Sequence, residues 1–423
     1  MRAPALAAFL LVAAACQQAA PAGTTAPAAP WLVSASAQSS YDSNLLQNNQ
    51  QTLAGWEEDL NALLQWQQVR PTRRLQLQYR PALQMVTAEP GLNSLNQSAA
   101  ATLALQPAPR WSLQGSAQGS YWERMPTSGV GQPGGLGVAA PLPLLPRTRA
   151  VAGTGQLQLG YALSRRSTLE VFGGYNERRF PGAGAWSQTL RGEHGSTSGL
   201  RYGFQATART QWGVELDHQN FSIGHNAHLA AASLLLRFEH AFTPLTSVQF
   251  AAGPEYSQDH ETDVLRLNVG GLPVTLTDRL YRVRTYPRIQ AAMVHQSRAW
   301  RWRLDAERQV SSGGGALPFP TSLLMVSASA GRRVSPAWRV QGGLNASQFQ
   351  ALDGGAQLTG HVRFAAVDLA LVHTLGRHWR LEFHYEYFLQ RSSGLMPLAP
   401  AVNRSVGGIR LRWQWPPIPE GAN

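Results

Sequence analysis

The sequence has little charge and, beyond its N-terminus, no long hydrophobic run. Charged residues make up 14% of the 423 positions, whereas soluble globular proteins carry about 25%. A membrane-spanning helix needs about 20 consecutive apolar residues, and after the first 15 residues no run approaches that length. Helical membrane spans are therefore excluded. The apolar residues are scattered between polar ones, which favours strands over helices.

Lysine is absent, so all 36 basic side chains are arginine, and the formal net charge is +12. A net positive charge of this size raises the question of nucleic-acid binding, which would need a clustered basic patch. The arginines are instead spread along the chain, and the basic runs are pairs such as Arg73-Arg74 and Arg332-Arg333. The sequence therefore favours a basic lining of a cavity, and we expect no nucleic-acid partner.

Cys16 is the only cysteine, which excludes intrachain disulfides and cysteine-based zinc sites. It ends an apolar run that follows a basic start at Met1-Arg2, as in a secretory signal. Residues 11–16 resemble a bacterial lipobox, although Ala13 stands where Leu or Val is expected. The alternatives are cleavage after the Ala-x-Ala patterns at 20–22 or 35–37. We predict a signal peptide over 1–22, with Cys16 as a lipidation candidate, and a disordered linker over 23–30.

From residue 31 onward, segments of about 10–15 residues with alternating character are separated by short and long gaps. Eight short gaps contain Pro, Ser, Thr or Arg, and they open the segments 70–80, 107–115, 164–174, 206–216, 242–251, 297–306, 335–343 and 376–387. Tryptophan follows five of these gaps, at 111, 212, 300, 338 and 379. An indole ring beside a turn would lie at the level of lipid headgroups.

The long gaps are rich in Gly, Pro and Asn, and they cover 43–55, 123–152, 257–280, 311–321, 350–357 and 389–404. Short turns on one side and long loops on the other are typical of outer-membrane β-barrels. The alternative is a soluble sandwich of eight unrelated hairpins. Eight short turns join sixteen strands, and a first strand at Val33–Tyr41 and a last at Val406–Trp415 bring the number to eighteen.

The sequence therefore predicts an all-β fold. We expect a single transmembrane antiparallel up-and-down β-barrel of about 16–18 strands over residues 31–416, followed by a C-terminal tail over 417–423. Trp56–Val69 is the least regular segment, because Leu60, Leu63 and Leu64 have helical spacing. A helix there would leave an odd number of strands, so we predict a strand.

Three segments indicate which strand face carries charge. In each of 300–307, 379–387 and 406–415, Trp, Leu, Ile, Phe or Tyr alternates with charged or polar side chains. A charge facing hydrocarbon costs about 2–4 kcal/mol at the bilayer midplane, so the charged face is predicted to line the lumen. The candidate pore-lining residues are Arg301, Arg303, Arg380, Glu382, Glu386, Arg410 and Arg412.

Residues at both ends and in the middle resemble an uncharacterised family of porin-like outer-membrane barrels of proteobacteria. The similar stretches are Tyr41-Asp42-Ser43-Asn44, Pro109–Leu113 and Asn403–Arg410. The resemblance implies a bacterial outer-membrane location, and members of the family are often found with envelope or exopolysaccharide functions. The chain departs from the pattern after Trp415, where eight further residues follow the last aromatic residue. In such barrels the assembly machinery reads a terminal aromatic residue, here Trp413 or Trp415.

Candidate catalytic and metal-binding groups are few. No Gly-x-Ser-x-Gly elbow is present, and the nearest clusters are His194 with Ser196 and Ser198, Asp217-His218, and Asp259-His260. Adjacent strand residues point to opposite faces. Further candidate metal ligands are His225, His228, Glu239-His240 and, in a long loop, Asp263 with Asp278. His225 and His228 are three residues apart, a spacing that faces opposite sides of a strand, and the two aspartates lack the spacing of an EF-hand. We predict no enzyme activity, no metal and no cofactor.

The sequence thus predicts a porin-like outer-membrane channel for small polar solutes, with an anion preference. Outer-membrane lipids, lipopolysaccharide and the barrel-assembly machinery are the expected partners, and small solutes or polysaccharide the expected cargo. An accessory barrel for exopolysaccharide export or envelope assembly is the alternative, and a barrel hydrolase is a third reading. The anion preference depends on Arg410 and Arg412 forming an unneutralised strip. Pairing of both with Glu382 and Glu386 would instead give a nearly neutral wall.

Overall fold

The computed structural model describes residues 30–46, 52–123, 149–181, 192–224, 227–269, 272–311, 321–352, 360–394 and 401–417. Eighteen strands and one short 3-10 turn, η1 (Pro90–Leu92), lie within these ranges. The strands are β1 Trp31–Asp42, β2 Gly55–Arg70, β3 Arg73–Val86, β4 Ser94–Ala108, β5 Trp111–Trp122, β6 Ala150–Ala162, β7 Ser167–Arg179, β8 Glu193–Thr207, β9 Thr210–Ile223, β10 Ala227–Thr243, β11 Thr246–Val269, β12 Leu272–Gln296, β13 Trp300–Ser311, β14 Thr321–Arg333, β15 Trp338–Ala351, β16 Gly360–Leu375, β17 Trp379–Gly394 and β18 Val402–Trp415.

Each strand pairs antiparallel with the next, and β18 pairs with β1, so the sheet closes on itself. The closing seam runs through ten residue pairs, from Val33↔Trp415 to Asp42↔Val406. Closure leaves every strand paired on both sides, which removes the exposed edges that an open sheet would present. The predicted up-and-down barrel is confirmed, with the larger of the predicted strand numbers.

All eight predicted short turns are present, and each joins an even-numbered strand to the next odd-numbered one. Trp56–Val69 is strand β2, as predicted. Its leucines fall at helical spacing because Leu63 lies on the inner face while Leu60 and Leu64 lie on the outer face. The alternative signal-peptide cleavage site at 35–37 lies inside β1, where Ala35 pairs with both Trp413 and Ala62. Cys16 and the predicted signal peptide lie outside the described residues.

The predicted long loop at 257–280 is wrong. β11 and β12 pair without interruption from Thr246↔His295 to Val269↔Leu272, so strand covers almost the whole of that stretch. Alternating leucine and β-branched residues continue up to Gly270-Gly271 and resume after them, and such residues favour strands. The predicted loop at 389–404 is also too long, because β17 continues to Gly394 and β18 begins at Val402.

The outer surface carries a broad apolar band. On β10, for example, Leu234 and Leu236 are 44% and 66% exposed, while Leu235 between them is buried. Trp111, Trp300, Trp338 and Trp379 are each the first residue of their strand, directly after a short turn. Among the described residues, no helix has the length and apolarity that a membrane crossing requires. A closed sheet with an apolar belt and an aromatic girdle places the chain in the outer membrane.

Candidate functional site in the barrel lumen

The inner face of the barrel follows from strand alternation. On β17, Phe383, Tyr385 and Tyr387 are exposed on the outer face. Glu382 and Glu386 alternate with them and face inward. The same alternation with exposed Trp300, Leu304 and Ile409 sets the inward residues on β13 and β18. The inward set contains every candidate from the sequence: Arg301, Arg303, Arg380, Glu382, Glu386, Arg410 and Arg412.

Two of these arginines are neutralised by local ion pairs. Arg303 makes a bidentate pair with Asp305, with nitrogen–oxygen distances of 2.7 and 2.6 Å. Arg410 donates to Glu382 Oε1 over 3.1 Å and to Gln38 Oε1 over 2.8 Å. The expected strip of uncompensated charge along β18 is therefore wrong at Arg410, where the neutralised alternative applies. Its partner is Glu382, directly opposite in the β17–β18 register.

A second group of arginines lies at the short-turn end of the inner wall. Arg333 is the register partner of Arg339, and Arg380 is the register partner of Arg412. Arg339 also lies within electrostatic range of Arg301 and Arg380. We call this set the arginine arc; it comprises Arg301, Arg333, Arg339, Arg380 and Arg412, on β13, β14, β15, β17 and β18.

The arginine arc places like charges opposite one another, which is destabilising. It therefore concentrates positive potential over one side of the lumen at a cost in stability. Arg333 and Arg339 were missed in the sequence because the segments around the turn at 334–337 were not assigned to faces. Their position next to Trp338, which follows a short turn, was the available signal.

The wall formed by β2, β3, β5 and β6 is rich in amides and hydroxyls, although Glu57 and Asp59 on β2 and Arg74 and Arg80 on β3 also face inward. Its inward glutamines lie on β2, β3, β5 and β6, and Gln78 donates to Gln65 Oε1 over 3.0 Å. The exposed outer-face residues Leu77, Leu157 and Leu159 alternate with them. We call this set the glutamine wall; it comprises Gln65, Gln67, Gln76, Gln78, Gln114, Gln118, Gln156 and Gln158. Amide groups donate and accept hydrogen bonds without setting a field.

Strands β7 to β13 carry ion pairs that the sequence did not predict. Arg201 pairs with Glu215 at 2.7 Å and with Glu170 at 3.1 Å, and Arg237 shares Glu215 at 2.7 Å. Arg288 and Asp217, whose side chains are 7% and 6% exposed, lie 2.5 Å apart. Each of these three arginines faces a carboxylate, so its charge is neutralised locally. The pairs of Arg201 and Arg237 also link neighbouring strands.

The catalytic and metal-binding candidates do not assemble into a site. Asp217 faces inward onto Ser233, whereas His218, next in the strand, faces outward. Asp259 and His260 are divided between the faces in the same way. His194, Ser196 and Ser198 follow one another along the outer face of β8. Within the described ranges, no three His, Cys, Asp or Glu side chains are grouped closely enough to hold a metal ion.

The remaining candidates have different placements. Glu239 and His240 are adjacent on β10 and point to opposite faces, and His228 is exposed on the outer face of that strand. His225 lies outside the described residues. Asp263 and Asp278 are direct partners in the β11–β12 ladder, and the loop that was predicted to hold them is absent from that position.

No family model matches this chain, and no curated protein matches it. Solved structures that resemble it include the outer-membrane protein OpdK of Pseudomonas aeruginosa, at 10% identity and a TM-score of 0.43, covering 91% of this chain and 99% of that one. OccK2 (OpdF) of the same organism resembles it at 11% identity and a TM-score of 0.45, covering 91% of this chain and 98% of that one. OccAB3 of Acinetobacter baumannii resembles it at 11% identity and a TM-score of 0.41, covering 92% of this chain and 100% of that one.

At these identities and TM-scores, the likenesses assign no residue role and no cargo to this chain. Its own geometry supports the location. Eighteen strands close into one barrel, with apolar side chains outward and charged or amide side chains inward. The chain is an outer-membrane β-barrel with a polar lumen.

Proposed function

We propose that the barrel is a channel for small polar solutes and that it favours anions. The observation that carries the proposal is the arginine arc, which lies at the short-turn end of the inner wall. An anion that enters at this end meets the guanidinium groups of the arc, and Arg74 on β3 faces inward at the same end. Positive side chains that line a pore lower the energy of an anion relative to a cation.

We infer that the lumen holds water, because barrels of 16–18 strands leave an aqueous channel between their walls. Thr102, Gln114 and Ser116 are inward-facing and exposed, and the Arg303 side chain is 56% exposed. A solute can therefore reach the inner wall on both the β4–β5 side and the β13 side.

The two walls have different roles in this proposal. The arginine arc sets the field, because like-charged neighbours in a confined mouth add their potentials. The glutamine wall offers donors and acceptors that replace the hydration of polar groups on a passing solute. Arg303 and Arg410 contribute little net field, because carboxylates neutralise them.

Reversal potentials test the proposal. The protein is reconstituted in planar bilayers under a potassium chloride gradient, and we expect a reversal potential that shows chloride preferred to potassium. A variant with Arg301→Gln, Arg339→Gln and Arg412→Gln should reduce that preference several-fold, since three of the five arc charges are lost. The matched control is Arg363→Gln, an exposed arginine on the outer face near the long-loop end.

The proposal fails if the wild-type barrel conducts no current, or if its reversal potential shows no anion preference. It also fails if Arg363→Gln changes selectivity as much as the triple variant, because charge position in the lumen would then be irrelevant. A separate measurement with Arg410→Gln is expected to shift selectivity toward cations, since it leaves Glu382 without its guanidinium partner.

The alternative accessory role in polysaccharide export stays a prediction from the sequence.

A further inference from the structure

The short-turn end of the barrel carries basic side chains near seven of its eight turns and acidic side chains near none. Fourteen arginines and no Asp or Glu lie within three residues of the eight short turns. We call this region the short-turn rim. Its arginines are Arg70, Arg73, Arg74, Arg110, Arg165, Arg166, Arg209, Arg298, Arg301, Arg332, Arg333, Arg339, Arg377 and Arg380.

Eight of the rim arginines lie on the outer face of a strand or in the turns themselves, and not on the inner wall. Arg70 and Arg73 are register partners on the outer face, and Arg332 lies on the outer face of β14, since its neighbour Arg333 faces inward. Arg110, Arg165, Arg166, Arg209 and Arg298 lie in the turns and are exposed. We call these eight the outer rim arginines. None of them forms an ion pair with an acidic side chain among the described residues.

The outer rim arginines lie at the same depth in the membrane as the aromatic girdle of tryptophans beside the short turns. Arg110 directly precedes Trp111, and Arg209 lies three residues before Trp212. The Arg332 guanidinium lies 4.9 Å from the centre of the Trp300 ring. Outward indoles near strand ends lie among lipid headgroups. The exposed guanidinium groups are therefore at the depth where lipid phosphates are found.

We propose that the outer rim arginines bind the phosphates of anionic phospholipids in the periplasmic leaflet of the outer membrane. Short turns of outer-membrane barrels lie on the periplasmic side. A guanidinium group binds phosphate through paired, charge-assisted hydrogen bonds. Since no Asp or Glu lies within three residues of the short turns, the phosphate of a neighbouring lipid is the available acceptor.

The distribution of the arginines favours lipid over a protein partner. Outer rim arginines lie on six of the eight short turns, from the β2–β3 turn around to the β14–β15 turn. A ring of this kind contacts the shell of lipid that surrounds a barrel. A folded acidic protein would engage one sector of the rim and would leave the arginines of the other sectors without a partner.

Quenching of tryptophan fluorescence by brominated lipids measures the preference directly. Most tryptophans of the described chain lie near the short-turn end, so they report on lipid at the rim. The barrel is reconstituted into bilayers of phosphatidylcholine, and brominated phosphatidylglycerol or brominated phosphatidylcholine is titrated in. One arginine near a membrane surface contributes about 1 kcal/mol with anionic lipid, so we expect wild-type protein to favour phosphatidylglycerol about five-fold.

The test variant carries Arg70→Gln, Arg110→Gln, Arg209→Gln and Arg298→Gln, and its preference should fall toward one-fold. The matched control carries Arg363→Gln and Arg391→Gln, two exposed outer-face arginines that are register partners near the long-loop end. It should keep the wild-type preference. Added salt should weaken the preference, and inorganic phosphate should weaken it no more than chloride at equal ionic strength.

Equal quenching by the two lipids in wild-type protein would overturn the proposal, as would an unchanged preference in the rim variant. If the control variant loses as much of the preference for phosphatidylglycerol as the rim variant does, total charge and not position sets the preference. That result would also overturn the proposal. Specific competition by inorganic phosphate would identify a site for the free ion and reject the lipid. Circular dichroism and heat-modifiable migration establish that each variant is folded.

Discussion

At the scale of single residues, arginines in this barrel differ according to burial. Arg404 lies at the β1–β18 seam, 3% exposed, and donates from Nε to both oxygens of Asp42 over 3.0 and 2.8 Å. Its guanidinium group also lies 5.4 Å from the centre of the Phe388 ring. Arg303 forms an equally direct pair with Asp305, but its side chain is 56% exposed. Solvent screens the second pair and leaves the first one strong.

The seam pair predicts a large effect on stability. Arg404→Met leaves the Asp42 carboxylate buried without its cation, and we expect the free energy of unfolding to fall by about 3–5 kcal/mol. The double variant Asp42→Leu with Arg404→Met should recover most of that loss. Val402, Val406 and Phe388 provide an apolar environment there, and an apolar replacement of a buried pair is often neutral.

Urea unfolding in lipid vesicles, followed by tryptophan fluorescence, measures these differences. Arg303→Met is the matched control, and an exposed pair of this kind is expected to contribute less than about 1 kcal/mol. Equal losses for Arg404→Met and Arg303→Met would contradict the argument from burial. A double variant no more stable than Arg404→Met alone would show that packing at the seam, and not the unpaired carboxylate, sets the cost.

At the scale of strands, the β10–β11 contact depends on one glycine. A Cβ added at Gly253 would lie 1.8 Å from the backbone oxygen of Leu234, which cannot move without disturbing the ladder. We expect Gly253→Ala to lower the free energy of unfolding by about 1–3 kcal/mol, the usual cost of overpacking. Gly119→Ala on β5 is the control, since a Cβ there meets nothing within 4 Å. Comparable urea midpoints for the two variants would refute the steric account.

Strand positions were predictable because the side chains of each strand face lipid and lumen in turn. Apolar and polar residues therefore alternate along the sequence. The loop assigned to 257–280 failed because polar residues there were taken as loop signals, although the alternation continues through them. The side-chain hydrogen bonds and ion pairs inside the lumen could not be predicted from the sequence, for a different reason. Gln38 and Arg410, for example, lie 372 positions apart, and only closure of the barrel makes β1 and β18 neighbours.

At the scale of the whole molecule, charge is sorted into zones. The short-turn rim holds fourteen arginines and no Asp or Glu within three residues of its turns, whereas the β7–β13 sector of the lumen holds arginines paired with carboxylates. The outer band between the girdle and the long-loop end is apolar. This sorting accounts for a chain that combines 14% charged residues with a net charge of +12. The fourteen rim arginines exceed the net charge of +12, so the formal charges of the rest of the chain nearly cancel.

The apolar band and the lumen should respond differently to the same added charge. Leu236 is 66% exposed on the outer face of β10, between Val214 on β9 and Ala252 on β11. Thr102 on β4 is exposed on the inner face, between Gln76 and Ser116. An arginine in hydrocarbon near the midplane costs about 2–4 kcal/mol, so Leu236→Arg should lower the free energy of unfolding in vesicles by that amount.

Thr102→Arg places the same side chain where water and amide groups solvate it, and we expect a change of less than about 1 kcal/mol, as for a surface substitution. The same variant adds a cation to the glutamine wall, so it should also increase the preference for chloride in bilayer recordings. Urea unfolding of both variants in the same vesicles gives the comparison. Equal destabilisation would mean that Thr102 does not face water, because only a dry inner wall would make the two sites equivalent.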